Sequence, residues 1–345
     1  MSDMSRAAAC AVGADSPLAR PWLVADIGGT NARFGWLVAG AAEVAHVATL
    51  AGADFKGPAA AAQAYLAGLA AQLGNDYRPP RAAAFAVATA VGSDLVAFTN
   101  SGWSFSRQET RDVLALDQLI LLNDFEALAL SLPRLQAHQL RAIGGPPRGD
   151  LPGALAVIGP GTGLGVAGIV PTPHGWVAVP GEGGHASLSP ADEFERELLA
   201  AVWRDHAHVS AERLLSGIGL PVLHKGVAAV LGQPWAGPAL SAGDIVERGL
   251  SRQDAACERT LDSFCALLGS FAGNVALGLG ARGGVFIGGG IVPRLGERFF
   301  ASQFRERFQA KGRFEDYLRA IPTSLITDTL VALTGAAVAL EQHGR

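Results

Sequence analysis

The sequence predicts a mixed α/β protein with two domains. Segments typical of strands alternate with segments typical of helices along most of the chain. Its 345 residues exceed the size that one hydrophobic core usually serves, and 49% hydrophobic residues allow a large buried interior. We expect a disordered, alanine-rich extension over residues 1–20, a small α/β domain of residues 21–134 with 328–345, and a large α/β domain of residues 135–327.

Several elements can be placed from periodicity and composition. In the small domain, residues 22–47 and 82–87 are typical of strands, and the alanine-rich segment 59–73 is typical of a helix. In the large domain, residues 192–203 and 254–279 predict helices. The second of these is rich in small residues, which permit close helix packing.

A glycine turn between two strand-like runs is the first candidate site. Glycines 28 and 29 follow the run 23–27, and an apolar run begins at Phe34. Because glycine has no Cβ, such a turn lets backbone N–H groups approach a phosphate closely. Thr30 and Asn31 add side-chain donors, and Asp26 offers a carboxylate that can hold Mg²⁺ directly or through water. An ordinary tight hairpin is the alternative for this segment alone.

A second glycine turn lies within residues 156–170. Glycines 163, 165 and 168 match the G-x-G-x-x-G pattern of dinucleotide-binding proteins, but that pattern must open a helix. Here residues 169–173 read Ile-Val-Pro-Thr-Pro, which cannot continue one. The segment 159–163 is therefore interpreted as a second phosphate turn within a hairpin. No G-K-[ST] follows either turn, so neither is a Walker loop.

A third glycine cluster follows a short apolar strand at residues 285–287. The glycines at 288, 289 and 290 would present bare backbone to a flat group such as adenine. The alternative is a strand end that needs bare backbone for close packing.

An acid-base candidate lies at the end of another apolar strand, residues 120–122. Asn123 and Asp124 follow this strand directly, and a helix-like segment begins after them. A carboxylate in this position can accept the proton of an attacking hydroxyl, so Asp124 is the candidate general base. The alternative makes one of the pair a helix N-cap, which does not exclude catalysis.

Three further side chains suit the hydroxyls of a sugar. Glu182 and His185 flank two glycines in a turn, and Glu212 lies in the helix-like segment 209–215. A single Glu or His in a turn is usually solvated. A helical Glu beside Arg213 is most often a surface charge.

The ordered set of segments resembles the bacterial glucokinase family of the hexokinase and actin-like ATPase superfamily. The resemblance runs from about residue 22 to about residue 326. It rests on DIGGTNAR, LLNDFEA, GPGTGLGVA, PGEGGH, HVSAERLLSG, GGVFIGGGIVPR and KGRFEDYLRAIP in family order. One departure is found at residues 328–333, where the family usually shows an N-P-G-L turn and this chain reads DTLVAL.

The resemblance implies a two-domain actin-like ATPase (ribonuclease H-like) α/β fold with the active site in the interdomain cleft. It also implies phosphorylation of the 6-hydroxyl of D-glucose by ATP with Mg²⁺, to give glucose 6-phosphate and ADP. Glucose would be held by Asn123, Asp124, Glu182, His185 and Glu212, with Asp124 as the catalytic base. ATP would contact Ala25, Asp26, Ile27, Gly28, Gly29, Thr30, Gly159, Gly161, Thr162, Gly163, Gly288, Gly289 and Gly290, and the donors in the first turn add Asn31.

Composition argues against several other classes of function. A net charge of −4 offers no basic surface for nucleic acid. The three cysteines (10, 257 and 265) form no C-x-x-C or Cys/His cluster, which argues against a disulfide framework, a zinc site and the ROK sugar kinases with their cysteine-rich zinc motif. No apolar run is long enough for a membrane span, and the N-terminal segment is too weakly apolar for a secretory signal. We expect a cytoplasmic homodimer. A non-catalytic sugar or nucleotide sensor, an actin-type ATPase and a kinase for another hexose are the alternatives.

Overall fold

The computed structural model describes residues 21–38, 43–89, 91–98, 103–149, 153–233 and 237–343. The chain divides into two compact units: unit 1 comprises Met1–Arg134 with Leu330–Arg345, and unit 2 comprises Leu135–Thr329. The expected extension over residues 1–20 lies outside the described residues, and the domain boundaries given above stay predictions.

Unit 1 is built on a five-stranded sheet in the order β3-β2-β1-β4-β7. Its strands are β1 Trp22–Ile27, β2 Asn31–Leu37, β3 Ala45–Ala51, β4 Ala82–Val87 and β7 Gln118–Asn123, with a separate hairpin of β5 Leu95–Ala97 and β6 Ser104–Ser106. Its helices are α1 Pro58–Leu73, α2 Arg107–Val113, α3 Asp124–Ser131 and, numbered along the whole chain, the C-terminal α13 Val331–His343. The predicted strand over residues 82–87 and the predicted alanine-rich helix are confirmed.

The register of unit 1 determines which side chains lie at one edge. Strand β1 pairs antiparallel with β2 and parallel with β4, and β4 pairs parallel with β7. Ile27 is opposite Val87, and Val87 is opposite Asn123, so the carboxyl ends of β1, β4 and β7 meet at the same edge. Behind this edge, the ring of Phe34 stacks on Tyr65 at 5.4 Å between ring centroids and meets Phe85 edge-on at 6.3 Å.

Unit 2 contains a six-stranded sheet in the order β11-β10-β9-β12-β13-β8. Its strands are β8 Leu140–Gly144, β9 Leu155–Pro160, β10 Leu164–Thr172, β11 Gly175–Gly181, β12 Gly284–Ile287 and β13 Thr323–Ile326. Its helices are α4 Glu193–Trp203, α5 Ala211–Leu214, α6 Leu220–Val230, α7 Ala242–Leu250, α8 Ala255–Leu279, α9 Ile291–Leu295, α10 Glu297–Phe300, α11 Phe304–Gln309 and α12 Glu315–Arg319. The helices predicted over residues 192–203 and 254–279 are confirmed as α4 and α8.

The long helix α8 lies in the core of unit 2. It begins at the N-cap Asp254, whose Oδ1 accepts hydrogen bonds from the N–H groups of Ala256 and Cys257, and ends at Gly280 in the left-handed conformation. Among the described residues it is the one helix long and apolar enough, by length and composition, to cross a membrane. Of its most apolar stretch, 72% is buried inside the protein, as in the core helix of a globular domain.

Candidate active site

The first glycine turn joins β1 and β2. The N–H of Gly28 donates to the carbonyl of Asn31 at 2.9 Å, and the carbonyl of Thr30 accepts from the N–H of Gly52 at 2.8 Å. Gly29, Thr30 and Asn31 are exposed. The predicted hairpin is therefore confirmed, and its exposed tip presents backbone and side-chain donors of the kind that bind phosphate.

Asp26 pairs with a residue that the sequence analysis did not identify. It lies opposite Arg33 in the hairpin register, and Nη1 of Arg33 donates to Oδ2 of Asp26 at 2.9 Å. Burial raises the pKa of Asp26 although the guanidinium of Arg33 lowers it. The signal was present in the sequence, because a hairpin turning at glycines 28 and 29 places these two residues on facing strands.

Asn123 and Asp124 lie where β7 passes into α3. Asn123 is the N-cap: its Oδ1 accepts from the N–H of Phe125 at 2.9 Å, and its Nδ2 donates to the carbonyl of Thr89 at 3.3 Å. The capping alternative is thus correct for Asn123. Asp124 is the first residue of α3, and its Oδ1 accepts from the same Phe125 N–H at 3.0 Å.

The carboxyl group of Asp124 is electrostatically unusual. Burial, and after it the negative charge of Asp26, raise the pKa of Asp124 from 3.8 to about 6, although hydrogen bonds from the start of α3 oppose the shift. Two carboxyl groups therefore influence each other at the edge where β1 and β7 end. A carboxyl group with a pKa near neutrality is suited to accept and release a proton under physiological conditions.

The second glycine turn joins β9 and β10 as an antiparallel hairpin, as predicted. Within the turn, the N–H of Gly161 donates to the carbonyl of Gly163 at 2.9 Å. The N–H of Gly217 donates to the carbonyl of Gly161 at 2.7 Å, which links the turn to the segment after α5. Because Gly165 and Gly168 lie inside strand β10 and open no helix, the rejection of a dinucleotide fingerprint is also confirmed.

The third glycine cluster connects β12 to α9. The N–H of Gly288 donates to the carbonyl of Ile158 at 2.8 Å. Gly289 has a φ of +74°, and a Cβ there would lie 2.4 Å from the carbonyl oxygen of Pro160. The packing alternative therefore holds for Gly289. Gly290 is exposed and has open space where a Cβ would be, so a flat group could approach its backbone.

The candidate sugar residues of unit 2 include a carboxylate with two neighbours. His185 ends a single helical turn, Gly183–His185, and its Nε2 lies 3.9 Å from Oε1 of Glu212. The other carboxylate oxygen of Glu212, Oε2, accepts the N–H of Leu164 at 2.8 Å. The alternative that Glu212 is a surface charge does not hold, since its side chain is 24% exposed and bonded to the backbone of β10. Glu182 precedes the helical turn and is exposed.

One group of ligand-type side chains was missed by the sequence analysis, which found no Cys/His cluster. His224 of α6, Asp254 at the start of α8 and Cys257 in its first turn have ligand atoms that all lie within 4.8 Å of one another. Helix packing brings His224 to the other two, and the spacing in the sequence gave no sign of it.

Comparison with known proteins identifies the family. The family model described as Glucokinase matches residues 23–343, which is most of the chain. The chain belongs to the glucokinase family. The resemblance found in the sequence is therefore confirmed.

Individual relatives agree with the family model. The chain is 49% identical over 328 residues to a glucokinase of Chromobacterium violaceum, covering 95% of this chain and 91% of that protein. The crystal structure of a glucokinase from an Antarctic psychrotroph is 38% identical, with a TM-score of 0.85, covering 93% of this chain and 98% of that one.

A more distant structure shows the fold alone. A ROK hexokinase from Thermus thermophilus is 16% identical, with a TM-score of 0.63, over 94% of this chain and all of that one. The predicted fold class, the actin-like α/β fold, is confirmed. The roles assigned above to individual residues stay predictions.

Proposed function

We infer that this protein transfers the γ-phosphoryl group of ATP to the 6-hydroxyl of D-glucose, giving glucose 6-phosphate and ADP. The observation that carries this conclusion is the glucokinase family model, which matches residues 23–343. The chemistry of the site agrees with it, because a carboxyl group with a raised pKa lies near an exposed glycine turn in unit 1.

Asp124 acts as the general base. Its carboxylate accepts the proton of the 6-hydroxyl as the oxygen attacks the γ-phosphorus, and ADP leaves. A pKa of about 6 keeps most of the carboxyl groups ionised at pH 7 and makes them stronger bases than an ordinary aspartate. Asn123 is fixed by its bonds to Phe125 and Thr89, and its amide retains a second N–H and a second lone pair for the sugar.

The remaining glucose contacts come from unit 2. Glu182, His185 and Glu212 offer carboxylate and imidazole groups to hydroxyls that donate and accept hydrogen bonds. Glu182 and His185 are exposed, so their hydrogen-bonding groups are accessible to a sugar.

ATP is bound by the glycine-rich elements. The turn at residues 28–31 and the turn at residues 159–163 present N–H groups to the phosphates, and the backbone at residues 288–290 adjoins the adenosine. The carboxylate of Asp26 has the hard oxygen donors that Mg²⁺ prefers, although Oδ2 is shared with Arg33, so Asp26 would hold the ion directly or through water. When bound, Mg²⁺ neutralises charge on the phosphates.

The experiment that tests this function is a coupled assay for glucose 6-phosphate, run on the natural protein and on Asp124→Ala. We expect turnover with glucose and ATP, loss of turnover in Asp124→Ala, and glucose binding largely kept. The matched control is Asp112→Ala, which removes an exposed carboxylate of unit 1 and should leave turnover unchanged. Absence of turnover in the natural protein would support the sensor alternative. Faster turnover of mannose, fructose or glucosamine would support another hexose kinase.

We also propose that the protein is a homodimer of the cytoplasm that binds neither nucleic acid nor membrane. The negative net charge supports the absence of nucleic-acid binding, and symmetric dimers are the commonest assembly of soluble proteins. Light scattering of the purified chain should give a mass near twice 35.5 kDa, and a mass near 35.5 kDa would contradict the dimer.

A further inference from the structure

Glu212 is the carboxylate that links two parts of the proposed site within unit 2. Its Oε1 faces His185 at 3.9 Å, on the side assigned to glucose. Its Oε2 accepts the N–H of Leu164 at 2.8 Å, and Leu164 is the first residue of β10 after the phosphate turn. The same side chain therefore touches the sugar-binding group and the end of the turn assigned to ATP.

The backbone around Glu212 joins the same two parts. The N–H groups of Gly217 and Ile218, just beyond α5, donate to the carbonyls of Gly161 and Thr162 at 2.7 and 3.3 Å. On the other side, the N–H of Ala211 donates to the carbonyl of Ala186 at 2.9 Å, immediately after the turn that holds His185. A movement of α5 would therefore displace both the turn that holds His185 and the phosphate turn.

Gly163 shows how closely the carboxylate approaches the turn. A Cβ on residue 163 would lie 2.5 Å from Oε2 of Glu212, which is closer than van der Waals contact allows. A side chain at residue 163 and the Glu212 carboxylate would compete for this space, so the carboxylate would have to shift.

We propose that Glu212 couples glucose binding to nucleotide binding, a role that rests on the proposed function. A glucose hydroxyl that donates to Oε1 fixes the carboxylate and thereby fixes its bond to the Leu164 N–H. The hydroxyl proton also partly neutralises the negative charge of Glu212 next to the turn, which must bind anionic phosphates. Glucose therefore prepares the turn for ATP, and by thermodynamic linkage ATP strengthens glucose binding by the same factor.

The test measures the affinity of a non-hydrolysable ATP analogue with Mg²⁺ by calorimetry, without glucose and with saturating glucose. In the natural protein we expect glucose to strengthen analogue binding by about 5- to 50-fold. In Glu212→Ala the factor should fall to near one. Glu182→Ala is the matched control: it removes another proposed sugar carboxylate, so it should weaken glucose binding but keep the factor once glucose is saturating.

A second variant separates the two contacts of Glu212. Gly163→Ala keeps the Glu212 carboxylate in the protein, but the added Cβ requires Oε2 to shift from its position at the Leu164 N–H. We expect glucose affinity within about threefold of the natural value and loss of the coupling factor. Full coupling in Gly163→Ala or Glu212→Ala, or no coupling in the natural protein, would overturn the proposal. Failure to phosphorylate glucose would instead overturn the proposed function, so the two failures are distinguishable.

A different observation supports a metal site in unit 2, formed by residues that are not among the proposed ATP and glucose contacts. The imidazole of His224, the carboxylate of Asp254 and the thiol of Cys257 bring nitrogen, oxygen and sulfur within 4.8 Å of one another. His224 and Cys257 are buried, whereas Asp254 is only partly buried and gives solvent access to the group. Cys, His and Asp are zinc-ligand types, and open zinc sites have three protein ligands with water in the fourth position.

We infer that these three residues bind a zinc-type divalent ion, with water as the fourth ligand. Cysteine binds zinc as the thiolate and histidine binds it as the neutral imidazole, so metal binding at this site is expected to release protons.

Cobalt titration of the metal-stripped protein tests this site, because a Co²⁺–thiolate bond gives a charge-transfer absorption band. We expect one equivalent of Co²⁺ to produce the band and Zn²⁺ to abolish it by displacement. The band should disappear in Cys257→Ser and persist in Cys265→Ser, a matched control in which the other buried cysteine of α8 is removed. No band in the natural protein, or an unchanged band in Cys257→Ser, would overturn the assignment.

Discussion

The acidic edge of unit 1 and the sugar residues of unit 2 use charged groups in different ways. In unit 1, the carboxyl group of Asp124 is held among buried strand ends beside Asp26, and its pKa is raised to about 6. In unit 2, His185 is 60% exposed and Glu212 is bonded to a backbone N–H of the sheet. In the proposed mechanism, the carboxyl group with the raised pKa is the one that moves a proton, and the proposed role of the unit 2 residues is to bind sugar hydroxyls.

The difference has a physical cause in the fold. Asp124 lies where β7 ends, at the same sheet edge as the carboxyl end of β1, so burial and the carboxylate of Asp26 both disfavour its charge. Glu182 and His185 lie on a surface turn, where both side chains are exposed to water. Substitutions in unit 1 should therefore change the rate of the chemical step, and substitutions in unit 2 should change binding.

The largest expected effect is on the chemical step. Asp124→Asn keeps the size of the side chain but removes the base, so we expect kcat to fall by about 10²- to 10⁴-fold, with the KM for glucose changed by less than tenfold. Steady-state kinetics of glucose 6-phosphate formation measures both constants. A rise in KM with kcat unchanged would place Asp124 among the binding residues and remove the contrast with unit 2.

The next effect concerns the backbone of unit 2. Gly289→Ala would place a Cβ 2.4 Å from a backbone oxygen at a positive φ, and we expect a loss of about 2–4 kcal/mol in the free energy of unfolding. Gly290→Ala is the matched control, because a Cβ there meets nothing within 4 Å. Urea unfolding of both variants measures the difference. Equal stability would show that the connection after β12 adapts to a side chain.

A stability effect of opposite sign is expected in unit 1. The folded-state pKa of Asp124 is raised above 3.8, so folding binds a proton between about pH 4 and pH 6 and stability declines as pH rises through that window. At pH 8 the charged form is disfavoured in the folded state, and Asp124→Asn should raise the free energy of unfolding by about 1–3 kcal/mol. At pH 3.5 the gain should nearly vanish. Urea unfolding at both pH values tests the sign, and destabilisation at pH 8 would contradict a disfavoured charge.

The smallest expected effect tests whether Glu182 of unit 2 acts in glucose binding. Glu182→Gln keeps the shape of the side chain and weakens a charge-assisted hydrogen bond, so the KM for glucose should rise by about tenfold, with kcat within about threefold of the natural value. Glu193→Gln, which changes an exposed carboxylate of α4, is the control and should leave both constants unchanged. A larger change in kcat than in KM would assign Glu182 to the chemical step.

Much of this organisation could be predicted from local sequence. The two hairpins follow from glycines between strand-like runs, and the end of β7 follows from an apolar run closed by Asn123. These features depend on residues close together in the chain.

Other features depend on packing between distant segments. The bond from the Leu164 N–H to Glu212 spans 48 positions, so local patterning could not predict it and left a surface charge as the alternative. The approach of His224 to Cys257 comes from packing of α6 and α8. The pairing of Asp26 with Arg33 could be predicted from the hairpin register. The raised pKa of Asp124 could not be predicted, because it depends on the order of the strands in the sheet.

The central claim, that the carboxylate of Asp124 takes the proton of glucose, is tested most directly by the pH dependence of kcat/KM in the natural protein and in Asp124→Ala. We predict that kcat/KM of the natural protein falls tenfold per pH unit below about pH 6, where the carboxyl group becomes protonated, and that the residual rate of the variant lacks this dependence. The same fall below pH 6 in both proteins would contradict the assignment.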